Sequence, residues 1–213
     1  ITNGYSADLV VVAARTTPGS GARGISLFGV EATMEGFSRG RKLDKVGLRA
    51  QDTAELFFAN VKVPKANVLG EAGKGFYYLM EGLAEERLIS AVSTSANARR
   101  AFDITRDYVM QRQIFGQPLA EQQNTQFRMA EMDAEIEVCQ VYIDHCVTAH
   151  NAGQLTTNMG AKAKMVASEV EWKMLDLGVQ LRADAELLQD LLLQLVGQVR
   201  VVMQERAGVL LAL

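Results

Sequence analysis

The rhythm of apolar and polar positions changes near residue 70 of this chain. Before it, apolar residues come in short runs: 9–14 (LVVVAA), 24–30 (GISLFGV) and 53–63 (TAELFFANVKV). Runs of this length, rich in β-branched and aromatic residues and bounded by turn material such as Pro18-Gly19-Ser20-Gly21, predict strands. Three or four strands with open edges make a poor isolated sheet, so the first part reads as an incomplete β domain. From Phe76 onward the period becomes helical. Leu88, Val92, Phe102 and Val109 mark one stripe; Phe127, Ala130, Ala134, Val138 and Val141 mark a second, after a break at Gly116 and Pro118. Val166, Val170, Met174, Leu177 and Leu181 mark a third, and Leu188, Leu191, Leu195, Val199 and Val202 a fourth. The expected fold class is therefore α+β: a partial antiparallel β domain over residues 1–69, then an antiparallel four-helix bundle over residues 70–213.

Composition narrows the function classes. Of 213 residues, 48% are hydrophobic and 22% charged, values of a globular chain. A net charge of −3 speaks against a nucleic-acid partner. The one basic cluster, Arg39, Arg41, Lys42, Lys45 and Arg49, reads as a solvated loop and strand edge, with steering of an anionic ligand as the sharper alternative. No apolar run approaches the ~20 residues that span a bilayer. The Leu- and Val-rich stretch 187–213 has only Arg200 and Arg206 as basic residues, too few for a membrane-surface helix. Cys139 and Cys146 lie seven apart in a helical pattern, about 10 Å of rise and too far to bridge. With His145 and His150 the only histidines, no metal site is expected; buried thiols and surface imidazoles are.

Two places carry candidate chemistry. Residues 70–75 (GEAGKG) match neither a dinucleotide fingerprint nor a Walker loop, and read as a flexible strand-to-helix join. Glu86 and Arg87 form a charged pair inside an otherwise apolar helical pattern. A carboxylate set against a helix core face is costly unless paired or functional, which makes Glu86 the leading candidate for chemistry and a structural ion pair its bland alternative.

The segments ELFFANVKVPKANVLGEAGKGF, LAEERL and YVMQRQIFGQPLAEQQNTQFRMAEM, with the opening ITNG, closely resemble the acyl-CoA dehydrogenase family, long-chain-like branch, over residues 1–181. The resemblance implies a flavoenzyme that binds FAD and a fatty acyl-CoA, passes electrons to an electron-transfer flavoprotein, and works as a homodimer or homotetramer. It implies a place in the bacterial cytoplasm or the mitochondrial matrix, the cytoplasm preferred. By position, Thr2 takes the role of the hydroxyl that contacts the flavin near its reactive nitrogen. Glu86 stands at the catalytic base of long-chain and isovaleryl-type members, and Arg87 at the neighbouring substrate-pocket arginine. Arg112 and Phe115 match residues that reach a partner subunit's FAD, Gln123 the glutamine supporting its adenosine portion, and Gln180 the start of a second FAD-contacting motif.

The resemblance stops after Leu181. The family continues with His-Gly-Gly-x-Gly-Tyr and later Gly-Gly-Thr-Asn-Glu-Ile; this chain has Arg182-Ala183-Asp184-Ala185-Glu186 and the apolar run to Leu213. Backbone donors for cofactor and thioester carbonyl go with those glycines. A second expectation follows: a truncated, non-catalytic relative whose helical bundle serves oligomerisation.

Overall fold

A computed structural model describes residues 1–182. It divides into two compact units, Ile1–Glu81 and, among the described residues, 82–182.

In the first unit β1 (Leu9–Arg15) and β2 (Ile25–Glu31) pair antiparallel, Val11 opposite Gly29, and β2 pairs in turn with the short β5 (Val68–Leu69). Val10, Val11, Leu27 and Val30 are buried; neighbours in a strand point to opposite faces, so the adjacent pair Val10 and Val11 is covered on both sides of the sheet. A second antiparallel pair joins β3 (Phe37–Lys42) to β4 (Ala54–Phe58). β3 lacks an apolar alternation; it is the strand edge of the basic cluster, and Phe37 packs edge-on against Phe58 at 5.4 Å. The expected strand 53–63 is shorter than its composition. It ends at Phe58 because Ala59 turns its N–H onto the Gly36 carbonyl and Asn60 adopts φ 55°.

The glycine-rich join is held in place, which corrects its reading as flexible. Gly73 donates its N–H to the Ser26 hydroxyl at 2.7 Å, and that buried hydroxyl also bonds Thr16 at 2.8 Å. Gly73 has φ 83°, and a Cβ there would lie 2.7 Å from the Arg23 carbonyl. Glycine is the residue that meets both constraints.

Three long helices follow: α1 (Gly75–Gln111), α2 (Gln123–Asn151) and α3 (Thr157–Arg182). A small hairpin of β6 (Gln113–Ile114) and β7 (Gln117–Pro118) links the first two. The fourth expected stripe, Leu188 to Val202, lies outside the described residues. Side-chain pairs fix the directions. Ser95 meets Gln140 at 2.8 Å and Arg99 meets Asp133 at 2.6 Å, so α2 runs antiparallel to α1. Ala84 meets Gly160 and Tyr108 meets Arg182, so α3 runs parallel to α1.

The core stripes agree with the sequence reading on α3, where Val170, Met174 and Leu177 are buried and Val166 and Leu181 pack against them. On α1, Leu88, Phe102 and Val109 are buried, but Val92 is exposed; Ala91, Ser95, Ala98, Ala101 and Thr105 complete the face. On α2 the expected stripe is on the wrong side. Phe127, Ala130, Ala134, Val138 and Val141 face solvent, and the buried face is Thr125, Met129, Met132, Ile136, Cys139, Ile143 and Cys146. That set repeats at spacings of four and three, a heptad seam filled by sulfur side chains. The two stripes lie about 200° apart on the helix.

Gly160 sets the closest approach between α1 and α3: a Cβ there would sit 2.6 Å from the Ala84 carbonyl oxygen. A Gly160→Val change is expected to cost about 2 kcal/mol through overpacking, read as a lower urea midpoint with an unchanged slope.

Candidate functional site

Glu86 lies on α1, two residues before the buried Leu88 and so about 200° round the helix from it. Its side chain is exposed, which corrects the expectation of a carboxylate set against the core. Leu88, Ala91, Ser95 and Ala98 take the core face, and the apolar residues around Glu86 in sequence belong to other faces. Among the described residues neither Glu86 nor Arg87 forms an ion pair, so no structural salt bridge accounts for them. Four residues earlier Gly82 leaves the carboxylate room: a Cβ there would stand 3.9 Å from Glu86 Oε1. Arg87 is half-buried.

The other helix end is built differently. α1 closes with the Arg112 N–H on the Tyr108 carbonyl at 2.8 Å, and the Leu119 N–H on the Arg112 carbonyl at 2.7 Å shuts the hairpin. Its two tip residues, Phe115 and Gly116, have φ of 49° and 83°. Positive φ at both positions is what a two-residue primed hairpin turn demands, and glycine, asparagine or aspartate usually supplies it. Phe115 is the exception, with its ring 97% exposed. Among the described residues no packing of the ring offsets the strain of that turn.

Gln123 opens α2 with an exposed side chain, and Gln122 before it makes no side-chain cap bond. Neither amide is needed to satisfy the helix terminus. Gln180, near the end of α3, is exposed and donates to Asp176 Oδ2 at 2.6 Å. The Tyr108–Arg182 contact, with the guanidinium 5.0 Å from the ring centre, brings the end of α3 to the end of α1. Arg112, Phe115, Gln123 and Gln180 therefore gather at one end of the helical unit. Glu86 and Arg87 are at the other, about 37 Å away along α1 at 1.5 Å per residue.

Thr2 belongs to the first unit. It is exposed, it bridges Thr53 through the backbone, and its hydroxyl has no hydrogen-bond partner among the described residues. The residue after it, Asn3, has φ 57°.

Two carboxylates escaped the sequence reading. Burial pushes the Glu171 carboxyl on α3 above its ordinary value, partly offset by a hydrogen bond with Asn97 of α1. Asp52 accepts the Tyr5 N–H at 2.8 Å and the Ser6 hydroxyl at 2.6 Å. An Asp in a short polar link before a strand was the available signal for the second. The thiols of Cys139 and Cys146 are free and buried, and burial raises Cys139. Among the described residues no group of three or more His, Cys, Asp or Glu side chains could hold a metal, and no helix is long and apolar enough to cross a membrane.

Residues 1–61 match the family model described as acyl-CoA dehydrogenase, middle domain, and residues 73–199 the one described as acyl-CoA dehydrogenase, C-terminal domain. The chain belongs to the acyl-CoA dehydrogenase family. It is 46% identical to the mitochondrial long-chain specific acyl-CoA dehydrogenase of Sus scrofa over 173 residues, 80% of this chain and 40% of that enzyme. It is 39% identical over 168 residues to the mitochondrial isovaleryl-CoA dehydrogenase of Solanum tuberosum, covering 79% of this chain and 41% of that one. Among solved structures, an acyl-CoA dehydrogenase from Geobacillus kaustophilus superposes with a TM-score of 0.82 at 48% identity, over 84% of this chain and 48% of that one. The chain thus spans less than half the length of each of these three relatives.

If Phe115 is kept for a contact outside its own fold, removing it should not destabilise the chain. Phe115→Gly is expected to raise stability by about 1 kcal/mol by relieving the left-handed strain. Thermal unfolding of the flavin-free protein checks this; a lower melting temperature would mean that the ring packs in solution.

Proposed function

We propose that the protein is an FAD-dependent acyl-CoA dehydrogenase that introduces an α,β double bond into a fatty acyl-CoA. Glu86 takes the α proton and Arg87 restrains the substrate beside it. The observation that carries this reading is Glu86 itself: a carboxylate with no ion-pair partner among the described residues, on a long helix and next to the room left by Gly82; the resemblance of LAEERL to the family's base segment supports it. A base on a helix is better placed for proton abstraction than one on a loop. Bound FAD supplies the hydride acceptor. Thr2, whose hydroxyl has no partner among the described residues, fits one contact to it, and Arg112, Phe115, Gln123 and Gln180 fit another. Those four lie about 37 Å along α1 from the base, a span that favours their serving the FAD of a second subunit. Electrons then leave to an electron-transfer flavoprotein. The domain boundary we propose is 69/70; the gap between the two family matches, residues 62–72, supports it.

The outward stripe of α2 supports association. Val138 is 71% exposed, Phe127 and Val141 nearly as much, and Met165 and Trp172 of α3 are exposed as well. An open apolar groove of about 350 Å³ runs between the two helices, lined by Ala134, Val138, Cys139, Val166 and Val170 among others. Apolar area on this scale marks an interaction face. We assign it to a second copy of the chain, giving the homodimer or homotetramer. The sequence after Leu181, without either family glycine motif, favours one other reading: a non-catalytic relative in which this association is the whole function.

A visible absorbance spectrum, repeated anaerobically with a long-chain acyl-CoA, separates the two. Flavin bands that bleach identify the dehydrogenase; a colourless protein that FAD does not reconstitute identifies the non-catalytic relative. In the complete enzyme Glu86→Gln should lower turnover by about 10²–10⁴-fold with flavin content unchanged; full turnover would remove Glu86 from the mechanism. Val138→Asp should shift the protein toward smaller species in analytical ultracentrifugation, since burying a valine contributes about 2 kcal/mol.

A further inference from the structure

The opening turn of the chain is fastened from the far side by a residue with no assigned role. Asn3 donates its N–H to the Asp52 carbonyl at 2.9 Å, and Ala54 donates its own to the Ile1 carbonyl at 2.9 Å, so residues 1–3 lie along residues 52–54. The chain then reverses. Asn3 takes φ 57°, and Gly4 is buried so tightly that a Cβ would stand 2.9 Å from the Ile1 carbonyl oxygen. The reversed arm is caught by the Asp52 side chain, which accepts Tyr5 N–H at 2.8 Å and Ser6 Oγ–H at 2.6 Å. Backbone and side chain of one aspartate therefore hold both arms of a turn whose outer residue, Thr2, has no partner for its hydroxyl among the described residues.

We propose that Asp52 is a positioning residue: its carboxylate fixes the turn of residues 2–6 so that the Thr2 hydroxyl is presented in one orientation to the flavin. The inference rests on the reading of Thr2 as a flavin contact. Bonds from an amide and a hydroxyl to an ionised carboxylate are the stronger kind, and each removes a freedom from a surface turn that has no apolar anchor of its own. Burial pushes the Asp52 carboxyl up, but the bonds from Ser6 and Tyr5, with Lys42 nearby, outweigh it and hold the group below its ordinary value. The carboxylate is thus the form in which the clasp exists near neutral pH. Asp52 itself touches neither flavin nor substrate on this reading; it acts through Thr2.

The test uses the full-length enzyme with four variants, Asp52→Ala, Asp52→Asn, Thr2→Val and the Asp52→Ala/Thr2→Val pair, and two readouts. Hydrogen exchange at the Tyr5 amide of the flavin-free protein reports the clasp, and the flavin absorption band of the reconstituted holoenzyme reports the Thr2 contact. Asp52→Ala should speed exchange by at least about tenfold and move the flavin band in the same sense as Thr2→Val. Asp52→Asn keeps one oxygen for the Tyr5 N–H but turns an uncharged NH2 toward the Ser6 hydroxyl, so it should fall between the parent and Asp52→Ala on both readouts. The pair should match Thr2→Val alone, because the two act on one contact. A band moved by Thr2→Val but not by Asp52→Ala overturns the inference and leaves the Thr2 reading standing, as do additive shifts in the pair. A band that Thr2→Val does not move, while Asp52→Ala still frees the Tyr5 amide, overturns the Thr2 reading and the inference with it. Should Asp52→Ala fold poorly, Ser6→Ala removes one of the two bonds at constant charge and should give the same pattern at smaller amplitude; a parental band together with faster exchange would then overturn the inference.

Discussion

Helix α1 packs on its partners through a face of small side chains, and that face governs the rest of the helical unit. Ala91, Ser95, Ala98, Ala101 and Thr105 are all buried, and Gly160 rests against the Ala84 backbone. Small residues let helix axes approach, and close packing then leaves little room for rotation about them. Polar pairs, Ser95 with Gln140 and Arg99 with Asp133, set the register of α2. Once this face is committed to the core, Glu86 has to point elsewhere, because Leu88 is only two residues on. The orientation of the candidate base is therefore a consequence of packing four turns of helix that have no chemistry of their own.

The same helix separates the two groups of candidate residues. Its 37 residues form one uninterrupted element from the glycine-rich join to the Phe115 hairpin. A spacer of that length holds Glu86 and the Phe115 hairpin at a fixed distance, since a continuous helix does not fold back on itself. The exposed α2 stripe is in keeping with this. A chain that presents an aromatic at a strained turn and an apolar helix face is shaped to be completed by another surface.

Much of this was legible in the sequence, and what was not had a physical reason. Helix existence followed from period, and breaks at Gly116 and Pro118 marked the hairpin. The α3 face was read correctly because five apolar residues mark its buried side against two, Met165 and Trp172, on the exposed one. The α2 face was not, because that helix is apolar on two sides: Phe127, Val138 and Val141 face out, while Met129, Met132, Ile136, Cys139, Ile143 and Cys146 fill the core. Val92 failed for a related reason: on α1 the core takes alanine and serine, which carry little apolar signal. Glu86 was found by resemblance and misoriented by pattern. Asp52 gave no signal beyond a polar link, since its partners are 46 and 47 residues away in the chain; such pairings are set by the fold of the β unit and not by any local rule.

The exposure of Glu86 bears on how a base there would work. A carboxylate in water is a weak base toward an α proton, and enzymes strengthen it by removing water around it. Glu86 is exposed among the described residues, and Gly82 leaves room next to it. On the proposed reading an acyl chain laid against α1 would displace water from the carboxylate as it binds. Arg87, half-buried one position on, lies about 100° round the helix and so flanks the side that Glu86 takes without filling it. Substrate binding and removal of water from the base would then be one event.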